Sequence, residues 1–339
     1  MKKTGYILLL IFVIACTGET DKSAEKSSAE VEYTGRVEQV DETLDQVLDP
    51  QARPAVLGRG YEWSEGPVWV AKHGFLLFSD VPTNTIYKWV PGEGVSEYLS
   101  PSGYTGQKER SGGGSNGLII DQEGRLLLCQ HGDRRIARMR APLDNPSADF
   151  QTVAGQYDGK KFNSPNDLVQ HSSGAIYFTD PPYGLEQGAD DPARELDFQG
   201  VFRVDTNGNV TLLVDSLSRP NGLAFSPDEK TLYVANSDPD NAVWMAYRVM
   251  QDGGLSDGQV FYDATHKTDQ ERGLPDGMKV GADGYVYATG PGGVWIFNPA
   301  GEALGRIKTE MAVSNCAIGN DGSKLYMTAD SLLLAMPIK

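Results

Sequence analysis

Cysteine, histidine and basic residues are scarce in this sequence, and each shortage excludes something. Three cysteines occur in 339 residues, and beyond Cys16 only Cys129 and Cys316 remain, enough for one disulfide at most. Both border apolar, strand-like runs (Leu126-Leu127-Leu128-Cys129 and Cys316-Ala317-Ile318), where a thiol buries as a small hydrophobe. Two free, buried thiols are therefore expected. The four histidines, His73, His131, His171 and His266, show no ligand spacing such as H-E-x-x-H, so nothing points to zinc. Lys and Arg number 30 against 46 Asp and Glu, a net charge of −16. Such a balance repels phosphate backbones and excludes nucleic acid as a partner. No long stretch carries helical apolar periodicity, which disfavours an α/β sheet with crossover helices. The apolar run from Tyr6 to Ala15 is too short to span a bilayer.

What is present begins at the amino terminus. Lys2 and Lys3 precede the apolar run, and the run ends in Val13-Ile14-Ala15-Cys16. This resembles a bacterial lipobox, in which the signal is cut before a cysteine that becomes acylated. Residues 1–15 are thus expected to be a lipoprotein signal peptide, and 16–35 the acylated Cys16 and a flexible tether. Thr17 to Glu32 is polar and rich in Ser, Glu and Lys, as a tether should be. Several acyl chains anchor stably where one does not. By analogy with enterobacterial sorting, Thr17 rather than Asp after the cysteine favours the outer membrane, facing the periplasm. Cleavage removes two lysines and takes the charge from −16 to −18.

The remainder, 36–339, reads as a single domain built from one repeated pattern. A short turn, an apolar strand, a Gly-containing turn and a second apolar strand recur six times. The copies open at Ser64-Glu65-Gly66-Pro67, Ser115-Asn116-Gly117-Leu118, Pro165-Asn166-Asp167-Leu168, Pro220-Asn221-Gly222-Leu223, Pro275-Asp276-Gly277-Met278 and Ser314-Asn315-Cys316-Ala317. The polar second position recurs at intervals of 51, 50, 55, 55 and 39 residues, near the period of a four-stranded propeller blade. Further β-rich runs between copies, such as Gly200–Val204 with Val210–Val214, supply third and fourth strands. The expected fold is all-β: a six-bladed β-propeller with blades starting near residue 60, closed into a ring that leaves few sheet edges exposed. Residues 31–57 are a weak candidate for an added strand that locks the last blade.

The repeat also places a site. The innermost strand of each blade starts at one face and lines the central channel, so Glu65, Asn116, Asn166, Asn221, Asp276 and Asn315 converge on the axis. Asn and Asp are common in turns, where they bond their own backbone. That accounts less well for all six positions in one register, and least for Glu65. Two carboxylates with several amide oxygens, and no imidazole or thiolate, form a hard-oxygen set suited to calcium, with magnesium or manganese as other occupants.

Several motifs carry a resemblance. Glu65-Gly66-Pro67-Val68-Trp69, Ser164-Pro165-Asn166-Asp167, Pro220-Asn221-Gly222-Leu223-Ala224-Phe225-Ser226, Pro275-Asp276-Gly277-Met278 and Gly292-Gly293-Val294-Trp295 together resemble the gluconolactonase/regucalcin (senescence marker protein) family over about residues 60–339. The resemblance implies a six-bladed calcium propeller and a metal held by Glu65, Asn166, Asn221 and Asp276. It implies hydrolysis of a sugar-type lactone, a small molecule, with Asp276 in the acid–base role. Animal members carry an Arg two residues before the third-blade Asn, where this chain has Ser164, so their sugar-contact pattern does not transfer directly.

A divalent cation at the axis polarises a lactone carbonyl by Lewis-acid action, and the attacking water needs a proton acceptor within hydrogen-bonding reach. Asn116 and Asn315, on the remaining blades, are expected to contact substrate or support the ligands. Strand connectivity puts the second-to-third-strand loops and the inter-blade loops over the site. These contain His131, Tyr183 in the long acidic 181–200 loop (a candidate lid), His266, Arg272 and the segment 100–115. His131 reads equally as a substrate contact or a satisfied structural histidine. Gly113-Gly114-Ser115-Asn116-Gly117 fits G-x-S-x-G, and Gly112 to Gly117 fits G-x-G-x-x-G, but the strand–turn–helix and βαβ contexts those motifs need are missing. Two other readings stay open at this level: phosphotriester hydrolysis at the same metal, and a non-catalytic binding propeller with structural calcium.

Overall fold

Each of the six turns leads into the innermost strand of an antiparallel sheet, and the sheets follow one another along the chain. The computed structural model describes residue 1, residues 31–107 and residues 112–339. The expected signal peptide, Cys16 and all of the tether before residue 31 lie outside the described residues. Glu32–Lys339 form one compact unit. From the axis outward, blade 1 comprises Ser64–Val70, Phe75–Asp80, Thr85–Val90 and Gly94–Leu99. Blade 2 comprises Ser115–Ile120, Leu126–Gln130, Arg135–Met139 and Phe150–Ala154. Blade 3 comprises Leu168–Gln170, Ile176–Asp180, Gly200–Val204 and Val210–Val214. Blade 4 runs Pro220–Phe225, Thr231–Asp238, Asn241–Val249 and Leu255–Asp263. Blade 5 runs Met278–Val280, Val286–Gly290, Gly293–Phe297 and Ala303–Lys308, with Arg36–Gln39 added as a fifth strand. Blade 6 takes Asn315–Gly319, Lys324–Ala329 and Leu332–Pro337 from the end of the chain and Ala55–Arg59 from its beginning. The fold is a six-bladed β-propeller, and the segment before residue 60 seals two neighbouring blades.

The core is divided as the ring requires, into six apolar clusters, one at each interface between adjacent blades. Leu77, Leu118 and Leu128 join blades 1 and 2; Phe162, Phe178 and Phe202 fill the seam between 2 and 3. Leu44 and Leu48 plug the seam between blades 5 and 6 from a 3-10 helix, Glu42–Gln46, whose Asp41 cap accepts the Thr43 N–H. Cys129 and Cys316 are free thiols, both buried in these seams.

Hydroxyls near the ends of the second strands stitch blades 1, 3 and 5 to the blades that follow them. Ser79 Oγ donates to Asn116 O at 2.9 Å, Thr179 Oγ1 to Asn221 O at 2.6 Å, and Thr289 Oγ1 to Ser314 O at 3.0 Å. Ser314 Oγ closes the ring by donating to Ser64 O at 2.6 Å. The inner strands approach so closely on four blades that the glycine at the third repeat position leaves no room for a side chain. A Cβ on Gly66, whose φ is +51°, would lie 2.0 Å from Asn116 O, and one on Gly222 2.3 Å from Asp276 O. The recurrent glycine of the repeat is a packing requirement at the channel mouth.

Candidate active site

The axial side chains are aimed by two local devices. On blades 1, 2 and 4 the inner strand bulges next to its axial residue, with the register slipping at Glu65/Val68, Ser115/Leu118 and Pro220/Leu223. A bulge re-aims one side chain without disturbing the rest of the ladder. The turn just ahead is held by a polar side chain from the second strand. Asp80 accepts the Trp63 N–H at 3.0 Å, Asp180 accepts Asn163 and Ser164 N–H at 2.7 and 2.8 Å, and Asn236 Oδ1 accepts Arg219 N–H at 2.8 Å. Burial pushes the Asp180 carboxyl up to about 7 even though those N–H groups pull the other way.

Above the axis lies a cavity of about 530 Å³. Its lining includes Glu65, Asn116, Asn166, Asn221 and Asp276 from the inner turns, with His131 and Tyr183 from second-to-third-strand loops. Seven of the eight site residues expected from the sequence therefore meet in one place. Glu65, Asn116, Asn166 and Asn221 are at most 5% exposed. The amides form a one-way chain: Asn116 Nδ2 donates to Asn166 Oδ1 at 2.9 Å, Asn166 Nδ2 to Asn221 Oδ1 at 2.5 Å, and Asn221 Nδ2 to Ser237 Oγ at 2.8 Å. His131 Nε2 lies 3.2 Å from Asn166 Oδ1, so the histidine belongs to this network.

The eighth residue, Asn315, does not line the cavity. It packs against the bare Cα of Gly277, where a Cβ would meet its Cγ at 2.0 Å. There its Nδ2 donates to Asp167 Oδ2 at 3.3 Å and its Oδ1 accepts from Lys279 Nζ at 3.2 Å. Asp167 is a third axial carboxylate, 3% exposed. It occupies the third repeat position, where four of the other five copies have Gly, and that departure was its signal in the sequence.

The loops over the cavity lie where connectivity places them. Val81 and Pro82, Gly112, Ser237, Gly273 and Leu274, and Ala312 and Val313 complete the lining with Trp63 and Arg219. His266 and Arg272 do not line it. Residues 108–111 of the 100–115 segment lie outside the described residues. The 181–200 loop is tied to the body: Gly184 N–H donates to Ser164 Oγ at 2.8 Å, Arg134 Nη1 to Ala193 O at 2.8 Å, and Leu185 and Leu196 are buried.

Comparison with known proteins settles the lineage. A model of the SMP-30/gluconolactonase/LRE-like region matches residues 63–331. The chain belongs to this family. It is 38% identical over 335 residues to a gluconolactonase of Zymomonas mobilis, spanning 95% of this chain and 92% of the relative. A pentonolactonase of Haloferax volcanii is 27% identical, across 78% of this chain and 80% of its own length. Among solved structures, a gluconolactonase of Xanthomonas campestris superposes with a TM-score of 0.78 at 31% identity, covering 91% of this chain and 98% of that one.

In this member of the family the axial carboxyls hold their protons strongly. Burial, opposed by the Gly66 N–H and reinforced by Asp167, pushes Glu65 up to about 7. Burial, with Glu65 and Asp167 beside it, raises Asp276 well above the usual carboxylate range. Asp167 is also raised by burial, against the pull of Lys279. Three carboxyls in so dry a place favour the arrival of positive charge. The chemistry of the donors fits a hard divalent ion: the axial floor brings the Glu65 and Asp276 carboxyls together with the amide oxygens of Asn116, Asn166 and Asn221, and Asn116 Oδ1 is buried with no hydrogen-bond partner among the described residues. No group of three or more His, Cys, Asp or Glu among the described residues is spaced to hold a metal, so amide oxygens must contribute to any such set.

Proposed function

We propose that this protein hydrolyses a sugar-type lactone, with gluconolactone as the type case, to the aldonic acid, and that a divalent cation, calcium, works at the floor of the axial cavity. The observation that carries the reading is the convergence of Glu65, Asn166, Asn221 and Asp276 beneath one 530 Å³ cavity, in a chain whose relatives include gluconolactonases and a pentonolactonase. Those four residues would hold the ion, and the orphaned Asn116 oxygen adds a fifth polar atom to the floor. Bound there, calcium supplies Lewis-acid polarisation of the lactone carbonyl.

The rest of the chemistry belongs to the side chains. Asp276 takes the proton of the attacking water and returns it to the ring oxygen as the ester C–O bond breaks. A carboxyl can hold a proton between those two events. Asn116, His131 and Tyr183 orient the substrate, while Trp63, Leu274 and Val313 keep bulk water from one side of the ring. Acid release from glucono-1,5-lactone at constant pH, corrected for spontaneous opening, tests the reading. Turnover is expected with calcium present, lost after EDTA and restored by calcium. Silence across a panel of sugar and aliphatic lactones would sink it, and turnover of phosphotriesters in that event would redirect it.

We also propose that the protein is lipid-anchored through Cys16 in the cell envelope, on the periplasmic side of the outer membrane, as the lipobox-like Val13-Ile14-Ala15-Cys16 suggests. Metabolic labelling with an azido fatty acid in a bacterial host should mark the wild type in the membrane fraction. Cys16→Ser should carry no label and leave the membranes. Equal labelling of the two proteins would overturn the anchor.

A further inference from the structure

The position two residues ahead of the axial residue is occupied, around the ring, by Trp63, Gly114, Ser164, Arg219, Leu274 and Val313. Trp63, Arg219, Leu274 and Val313 all line the cavity, and among the described residues Arg219 is the only ammonium or guanidinium group that does. The lining is also divided by blade. Blades 5, 6 and 1 contribute apolar side chains: Leu274, Val313, Trp63 and their neighbours. Blades 2, 3 and 4 contribute His131, Tyr183, Ser237 and Arg219. The mouth thus has an apolar arc and a polar arc, each continuous over three blades, above a shared acidic floor.

Arg219 is held by its backbone, with its N–H on Asn236 Oδ1 and its carbonyl accepting the Ser237 N–H at 2.9 Å. Its exposed side chain makes no ion pair among the described residues. A guanidinium at this position offers a fork of donors to oxygen-rich groups and repays little when the groups are absent.

Resting on the lactonase reading above, we propose that Arg219 is the specificity-determining residue of the site, holding the hydroxylated arm of the lactone against blade 4 while the apolar arc packs the opposite edge of the ring. The preferred substrate class is therefore a lactone with vicinal hydroxyls, discriminated from a plain aliphatic lactone of equal ring size. A site built to bond hydroxyls rejects a substrate that lacks them more strongly than an apolar pocket rejects extra bulk.

The experiment compares wild type, Arg219→Met and Arg219→Lys on glucono-1,5-lactone and δ-valerolactone, with calcium saturating. Arg219→Met should raise KM for glucono-1,5-lactone about 10-fold, leave kcat within about 3-fold, and change KM for δ-valerolactone less than about 2-fold. Arg219→Lys should recover part of the loss. Equal effects on both lactones, or none on either, would overturn the assignment. Calorimetric binding of D-gluconate to wild type and Arg219→Met, with calcium held saturating on both sides, decides the matter independently of turnover. If wild type turns over neither these two lactones nor any other of the panel, the lactonase reading fails by itself. Weaker gluconate binding by Arg219→Met would still uphold Arg219 as the residue that holds the hydroxylated arm, and unchanged or undetectable binding would refute it.

Discussion

Replacing Asp276 by Asn should lower kcat for glucono-1,5-lactone by about 10³-fold, in the middle of the range that positioned acid–base groups supply. The amide keeps the shape of the carboxyl and one oxygen, so the fold and the amide chain from Asn116 to Ser237 should survive. What it loses is the ability to take and return a proton. Because the same side chain is proposed to hold calcium, affinity for the ion has to be measured alongside. Calorimetry with calcium should show weakened but measurable binding, and kcat is then compared at saturation. Activity above about a tenth of wild type under those conditions would remove Asp276 from the chemistry. A matched Asp167→Asn variant serves as the control. Asp167 bonds Asn315 beneath the cavity and does not line it, so its loss should change kcat far less.

The second large effect concerns stability and its dependence on pH. In the metal-free protein Glu65 is pushed up to about 7, and Asp276 and Asp167 are raised in the same direction. Between about pH 4.5 and 7 the native state therefore binds more protons than the unfolded chain, and stability falls as pH rises through that window. The axial carboxyls titrate as a coupled set, and the loss belongs to the set rather than to any one of them. In EDTA the melting temperature should drop by roughly 5 °C or more from pH 5 to pH 8, a window in which ordinary surface carboxylates are already ionised. Saturating calcium should reverse the trend, stabilising most at pH 8, because the ion binds the deprotonated carboxylates. A metal-free melting temperature that is flat or rises over this range would show that the axial carboxyls are ionised without the ion.

The six-fold repeat was legible because propeller blades each need the same turn and the same polar group at the second position, and four of the six need the same close approach at the third. Glu65, Asn116, Asn166, Asn221 and Asp276 fell out of that register, and the ring brings them to one floor. Asn315 shared the register but not the outcome, since Gly277 leaves it a pocket beneath the cavity, and no spacing encodes that. Arg219 was missed for a different reason. In one dimension it is a single charge in a loop, and only closure of the ring places it with Trp63, Leu274 and Val313 around a common mouth. Lys279 likewise became visible only once Asn315 and Asp167 were seen beside it. The seal on blades 5 and 6 was half legible: the region was suspected, but Arg36–Gln39 and Ala55–Arg59 lack a strong alternating pattern and form strands mainly because open edges await them.

That seal has a kinetic consequence. Ala55–Arg59 pairs with Leu332–Pro337 across nearly the whole length of the chain, so the ring cannot close until its last strand has been synthesised. Until then the outer strand Ala55–Arg59 has no partner to pair with. Closing a loop of this size has a high entropic barrier and belongs to the slow end of β-protein folding. Once made, the seam holds by its outer strand in the direction of chain entry. Tension applied at the amino end would load the Ala55–Arg59 ladder lengthwise, with its hydrogen bonds sharing the force in shear, and would leave the cavity floor on the far side of each blade unstrained.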